Sequence, residues 1–128
     1  MLKGIPLFSS LSDEELDLLV PVFNERSYPP DHVITKEGTP GFGFFVIESG
    51  SAKVTVRGEL RRTLGPGAYF GEIALIDEGP RAATITTEMP VVAHMLSGRE
   101  FRPLVQEHPA LGWSLLQGLA TILRDEEV

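Results

Sequence analysis

Phe70 to Ile85 reads FGEIALIDEGPRAATI, a short apolar stretch carrying Glu72, then an acidic loop, then an arginine, Arg81, followed by alanines. The carboxylate and the guanidinium stand nine positions apart and are bracketed by Gly71, Gly79 and Pro80. Just upstream, Gly65, Gly67 and Gly71 in LGPGAYFGE let the chain turn tightly into FGEIALI. This predicts a one-turn helix whose backbone N–H groups favour an anion or a polar oxygen. Arg81 is the one cation between Arg62 and Arg99. An isolated arginine of this kind is ordinarily a surface residue paired with a neighbour, here Asp77 or Glu78, in a contact worth at most about 1 kcal/mol. Its other use is bidentate, permanently charged recognition of phosphate or carboxylate.

Around this segment the texture is that of an antiparallel β protein. From Tyr28 to Leu96, the runs HVITKEG, FGFFVIES, SAKVTVRG, RRTLGPG, AATITTE and VVAHML are rich in β-branched and aromatic residues. Gly, Pro and polar turns separate them roughly every eight to twelve residues, the spacing of a sandwich or barrel. In SAKVTVRG, Ala52, Val54 and Val56 alternate with Lys53, Thr55 and Arg57, so the first set is expected to face inward, with Ile85 and Val92 on the same wall.

Helices flank the strands. Ser12 and Glu15 form a capping-box pair ahead of a stripe of Leu11, Leu16, Leu19, Val20 and Phe23, which predicts a first helix over about 12–23. Ser97 and Glu100 form a second such pair before REFRPLVQE, where Pro103 predicts a late start or a kink. Pro109 stands in the first turn of a third helix. In that helix Leu111, Trp113, Leu115, Leu116, Leu119, Ala120, Ile122 and Leu123 span an arc of about 200°, twice the roughly 100° stripe of an ordinary surface helix. The excess face calls for a second partner: a ligand pocket, a second subunit, another domain, or simply the helix's own core.

Composition narrows the classes. A chain of 128 residues with 42% hydrophobic residues can bury a core as one domain. With no cysteine there is no disulfide framework and no thiolate metal site, and no apolar run approaches the roughly 20 residues of a membrane span. The N-terminus lacks a signal-peptide pattern, which fits a cytoplasmic protein without a membrane partner. A formal charge of −7 has the wrong sign for a domain that grips nucleic acid through its phosphates. GPGAYFG sits outside any βαβ unit and no GK[ST] follows a glycine loop, so neither common nucleotide fingerprint is present.

The order F-G-E-I-A-L, short loop, P-R-A-A-T resembles the phosphate-binding cassette of the cyclic-nucleotide-binding domain family. It is close to the cassettes of cyclic-AMP-dependent protein kinase regulatory subunits and looser against catabolite-activator-type bacterial regulators. The likeness extends over residues 7–125, including ITKEGTPGFGFFVIESGSAKV. It implies a mainly β fold with flanking helices: an antiparallel eight-stranded β-roll of jelly-roll type, with one N-terminal and two C-terminal helices. We therefore expect a single domain over 1–128, divided into a helical part at 1–27, a β-roll at 28–96 with the cassette at 70–84, and C-terminal helices at 97–128. The resemblance implies that Glu72 accepts the ribose 2′-hydroxyl and that Arg81 neutralises the cyclic phosphate. It further implies that the backbone N–H groups of Ala74 and Ala82 bond the phosphate oxygens and that Gly71 lets the sugar approach. Because a carboxylate accepts from a hydroxyl but repels a phosphate, one sugar-phosphate ligand accounts for both charges.

Ile73, Ala83, Val54 and Arg62 complete the expected ligand-binding set, with Val54 and Ile73 against the base. Ala82 offers no hydroxyl to the guanine 2-amino group, which favours cyclic AMP over cyclic GMP, although Arg61 or Arg62 could still reach a base edge. Leu116 to Leu123 are candidates to cover the purine, or a partner supplies that cover. The expected protein is a sensor, not an enzyme, with no catalytic cofactor; the last helix would serve a homodimer or an effector domain. A cupin-like metalloenzyme would need a His-x-His pair, whereas His32, His94 and His108 are dispersed, so no metal ligand is expected. A degenerate roll that contacts proteins without nucleotide would have lost the glutamate or the arginine, and both are present. No serine lies in a G-x-S-x-G turn, which argues against nucleophilic catalysis.

Overall fold

The computed structural model describes residues 2–41, 43–77 and 79–125. The chain forms two compact units, one of residues 23–98 and one of residues 1–22 with 99–128. The first unit holds eight strands among the described residues, in two antiparallel four-stranded sheets. One sheet has the order β1 (Asn24–Tyr28), β8 (Val91–Ser97), β3 (Gly43–Ser49), β6 (Tyr69–Phe70). The other has the order β2 (Val33–Thr35), β7 (Thr84–Thr87), β4 (Ala52–Val56), β5 (Glu59–Leu64).

Alternation along the strands builds the core. Phe45, Ile47, Ala52, Val54, Leu64, Phe70, Ile85, Val91 and Ala93 form one buried cluster. Each fully buried large apolar side chain contributes about 1.5–3 kcal/mol relative to exposure. Phe45 and Phe70 are directly paired across β3 and β6 and stack at 4.9 Å between ring centroids, which anchors the chain immediately before Gly71. Ala52, Val54 and Ile85 face inward as expected, while Val56 is only half-buried. Val92 is a correction: Val91 and Ala93 are inward and Val92 lies on the opposite face. In a period-2 element a reading one residue out exchanges the faces.

Two strands escaped the sequence reading. β1 has the sequence NERSY and is almost wholly exposed, so it carries no apolar alternation, and the sheet begins at Asn24, inside the stretch expected to be helical. β6 has two residues, too few to display a period. Buried Thr87 is satisfied by donating to the Pro29 carbonyl at 2.6 Å and accepting from the His32 N–H at 2.8 Å.

In the other unit, α1 (Asp13–Leu19) runs into a 3-10 turn at Val20–Val22, so the expected helix ends in a tighter turn at Pro21. Ser12 and Glu15 form the full capping box: Ser12 Oγ accepts from the Glu15 N–H at 3.1 Å and Glu15 Oε1 from the Ser12 N–H at 2.9 Å. Ser114 Oγ also donates to both Glu15 oxygens, at 2.9 and 3.0 Å. α2 (Gly98–Glu107) does not start late; it takes Pro103 into its interior, at the loss of one ladder hydrogen bond. α3 (Pro109–Asp125) buries Leu111, Leu115 and Gly118 and exposes Trp113, Leu116 and Leu123, dividing the wide apolar arc into a covered and an uncovered face. A Cβ at Gly118 would lie 2.4 Å from the Leu7 carbonyl oxygen, so only glycine permits this approach of α3 to the N-terminal segment. Among the described residues no helix is long and apolar enough to cross a membrane.

The Glu15 carboxyl is held below the ordinary carboxylate value, chiefly by the Ser12 backbone N–H, with burial opposing and the Ser114 and Ser12 hydroxyls assisting. A folded-state value depressed in this way adds stability above the unfolded value of about 4.3 and loses it as pH falls through the folded value. Wild type is therefore expected to exceed Glu15→Gln in urea midpoint at pH 7, with the gap closing by pH 3. A gap of the same size at both pH values would show that the carboxylate charge plays no part.

Candidate functional site

β6 delivers the chain into Gly71, which takes the left-handed conformation at φ +85°, and a single 3-10 turn at Glu72–Leu75 follows. The expected one-turn helix is thus present, in its tighter form. A Cβ at Gly71 would lie 2.5 Å from the Gly43 carbonyl oxygen and 2.6 Å from an Arg81 terminal nitrogen. Ala74 and Leu75 point inward, whereas Ile73 and Ile76 are about half exposed.

Arg81 arrives from the other side. The backbone at 79–81 pairs with the segment 38–41: Arg81 N–H donates to the Thr39 carbonyl at 2.8 Å, Gly38 N–H to the Arg81 carbonyl at 2.9 Å, and Pro40 bridges Pro80. One terminal nitrogen of the guanidinium, Nη2, donates to the Gly43 carbonyl at 2.7 Å. A Cβ at Gly41 would stand 2.8 Å from Arg81 Nε and 2.9 Å from Ala74 Cβ. Gly41, Gly43 and Gly71 therefore form the bed in which the guanidinium lies. Burial lowers the Arg81 pKa from its ordinary value and the Glu72 carboxylate works in the opposite direction. Arginine remains cationic under such shifts.

The surface pairing open to an isolated arginine does not occur with Asp77. Asp77 Oδ1 accepts from the Gly79 N–H at 3.1 Å, and the ion pairs among the described residues are Lys3–Asp13, Arg61–Glu59 and His94–Glu48. Glu78 lies outside the described residues. Arg81 Nε is sealed from solvent and has no hydrogen-bond partner among the described residues.

Gly71, Glu72, Ile73, Ala74, Arg81 and Ala82 line one recess of about 350 Å³. A neighbouring recess of about 370 Å³ shares Gly71 and Glu72 and is also lined by Arg62. Both fall within the range of small-molecule sites. Two expected residues are elsewhere: Val54 is 7% exposed in the core cluster, and Ala83 is partly buried against that cluster. The Ala74 N–H donates to the Gly71 carbonyl at 3.0 Å, so this donor is engaged within the turn. Gly41 and Gly43 were missed as site residues. Their signal was the glycine spacing in EGTPGFGFF, which reads as loop until Arg81 is known to lie on it.

A family model described as "Cyclic nucleotide-binding domain" matches residues 25–108. Over 99% of this chain and 61% of its own length, the cyclic AMP receptor protein of Thermus thermophilus is 33% identical. A cAMP-dependent protein kinase regulatory subunit of Yarrowia lipolytica is 35% identical over 81% of this chain and 28% of its own length. The chain thus spans less than two thirds of the length of each of these relatives. Among solved structures, the N-terminal domain of a transcriptional regulator from Streptomyces coelicolor A3(2) superposes with a TM-score of 0.87 at 29% identity, covering 97% of this chain and 92% of that one.

The glycine bed makes a stability prediction that needs no ligand. Gly71→Ala adds a Cβ both to a left-handed backbone, at about 1–2 kcal/mol, and to an occupied space, at about 1–3 kcal/mol. Gly65→Ala has nothing within 4 Å of the new Cβ and no positive φ. Urea denaturation is expected to show a loss for Gly71→Ala and little change for Gly65→Ala. Equal midpoints would mean that the bed is not packed as described.

Proposed function

The chain belongs to the cyclic nucleotide-binding domain family, and from that premise we propose that it is a sensor module that binds a cyclic nucleotide, cyclic AMP in preference to cyclic GMP, between Glu72 and Arg81. The observation that carries this is the guanidinium, desolvated on a bed of glycines, with a buried Nε that has no partner among the described residues. A buried unsatisfied donor costs about 1–3 kcal/mol, and the guanidinium that bears it, only partly buried as a whole, can regain from an anionic acceptor a charge-assisted bond worth about 1.5–3 kcal/mol net. A cyclic phosphate is such an acceptor, and the ribose hydroxyl beside it suits the Glu72 carboxylate.

Micromolar affinity requires about 8 kcal/mol, so Arg81 cannot suffice. The remainder comes from Glu72, from the Ala82 N–H, and from burial of the base against Ile73. The Ala74 N–H joins only by sharing the bond it makes to Gly71, as bifurcated donors at helix termini do. Cyclic AMP is favoured because Ala82 has no hydroxyl, and the two relatives named for cyclic AMP support the same choice. Arg62, in the recess that shares Glu72, is the side chain placed to meet a base edge.

We take residues 1–128 as one working module of a cytoplasmic regulator, with the segment 70–84 as its phosphate grip. Occupancy would tighten the Glu72–Leu75 turn and shift the balance between arrangements of α2 and α3, which requires the ligand to bind those arrangements with different affinity. The uncovered apolar face of α3, with Trp113, Leu116 and Leu123, supports an output through a second copy or an effector domain.

Titration calorimetry with cyclic AMP, cyclic GMP and AMP tests the proposal. Saturable binding of cyclic AMP is expected, weaker binding of cyclic GMP, and weaker still of AMP. Folded protein that binds neither cyclic nucleotide would overturn the proposal, and tighter cyclic GMP binding would overturn only the role given to Ala82. Arg81→Ala is expected to cost about 2–5 kcal/mol of binding, since truncation leaves the partner charge unpaired. A loss below about threefold would place the phosphate elsewhere.

A further inference from the structure

We propose that Glu25, Glu48 and His94 form a surface site for a divalent first-row transition-metal ion, zinc above all, separate from the nucleotide recess. His94 lies on β8, between β1 and β3, and is directly paired with Glu25 on one side and Val46 on the other. Paired residues share a face of a sheet, and Glu48 stands two positions beyond Val46 on that same face. The register of β3 against β8 shifts between Ile47 and Ser49, the kind of irregularity that re-aims a side chain. One ligand atom from each of Glu25, Glu48 and His94 lies within 4.8 Å of the other two.

The donor set is an imidazole nitrogen flanked by two carboxylates, all carried on strands. His94 Nε2 already stands 2.8 Å from Glu48 Oε1. Ligands at the usual zinc distances of about 2.0–2.2 Å stand about 3 Å from one another, so this pair is close to cis-ligand spacing and Glu25 completes the set by side-chain rotation. Two carboxylates beside one imidazole make a donor set that a divalent cation can share, and the chain's net charge of −7 attracts cations in general. Calcium and magnesium prefer oxygen ligands throughout, whereas an imidazole with carboxylates suits zinc and its neighbours. The side chains of His94 and Glu48 are 33% and 56% exposed, which leaves open positions for water or a further ligand. The chain has no cysteine, so no thiolate competes for the ion.

None of the three residues lines the recess of Gly71, Glu72 and Arg81, so the site stands or falls independently of nucleotide binding. Bound there, the ion would join three adjacent strands and raise stability with the logarithm of its free concentration above Kd. Zinc chloride titrated into the purified chain is expected to bind saturably at one ion per chain and to raise the thermal midpoint. Both effects are expected to weaken in His94→Ala and in the exposed variant Glu48→Gln, and to persist in His32→Ala. Loss of outer-shell partners alone lowers metal affinity about 10–100-fold, so loss of a direct ligand is expected to cost at least about tenfold. Absence of saturable zinc uptake would overturn the proposal, as would uptake unchanged in folded Glu48→Gln or His94→Ala.

Discussion

The guanidinium of Arg81 organises everything around it because, among the described residues, it is desolvated against backbone with no carboxylate at salt-bridge distance. Its Nη2 donates to the Gly43 carbonyl at 2.7 Å, and Gly41 and Gly71 come too close for either to carry a Cβ. A carboxylate 4 Å or less away would neutralise the charge and make a salt bridge of it. Here the acidic partner, Glu72, acts from a greater distance. Among the described residues the cation therefore meets no carboxylate at salt-bridge distance.

The placement of Glu72 and Arg81 has an identifiable source. The stacked pair Phe45 and Phe70 fixes β3 to β6, and β6 leads directly into Gly71. The bridge between Pro40 and Pro80, with the backbone bonds of Thr39, Arg81 and Gly38 beside it, ties the arginine-bearing loop to the segment that enters β3. Both arms of the site thus hang from β3, one through its aromatic partner and the other through the loop before it. A shift of β3 would therefore move Glu72 and Arg81 together.

Sequence was a good guide where a periodic or motif signal existed and a poor one where the structure depends on spatial coincidence. The six apolar runs gave six strands, and Ser12 with Glu15 gave its capping box, because burial alternation and cap chemistry are local. β1 escaped because an exposed strand carries no alternation, and Val92 was misplaced because faces exchange with a shift of one residue. Within the site, Gly71, Glu72 and Arg81 were legible through a motif, but Gly41 and Gly43 could not be, since a glycine's use is set by what approaches it. The same holds for His94, whose glutamate neighbour Glu48 is 46 positions away.

The split of α3 into a covered and an uncovered face separates two explanations of its 200° arc that were equivalent in sequence. A helix sunk in its own core would leave no large apolar side chain at solvent, yet Trp113, Leu116 and Leu123 are 65%, 56% and 64% exposed. They fall at intervals of three and seven positions, the spacing of a seam that meets another helix. Scattered exposed apolar residues need no explanation, but these three, one of them the chain's single tryptophan, share one helical face. Glu72 and Arg81 belong to one compact unit and this helical face to the other. If the proposed ligand binds the first unit, any effect on this face rests on a difference in its affinity for two arrangements of the helices.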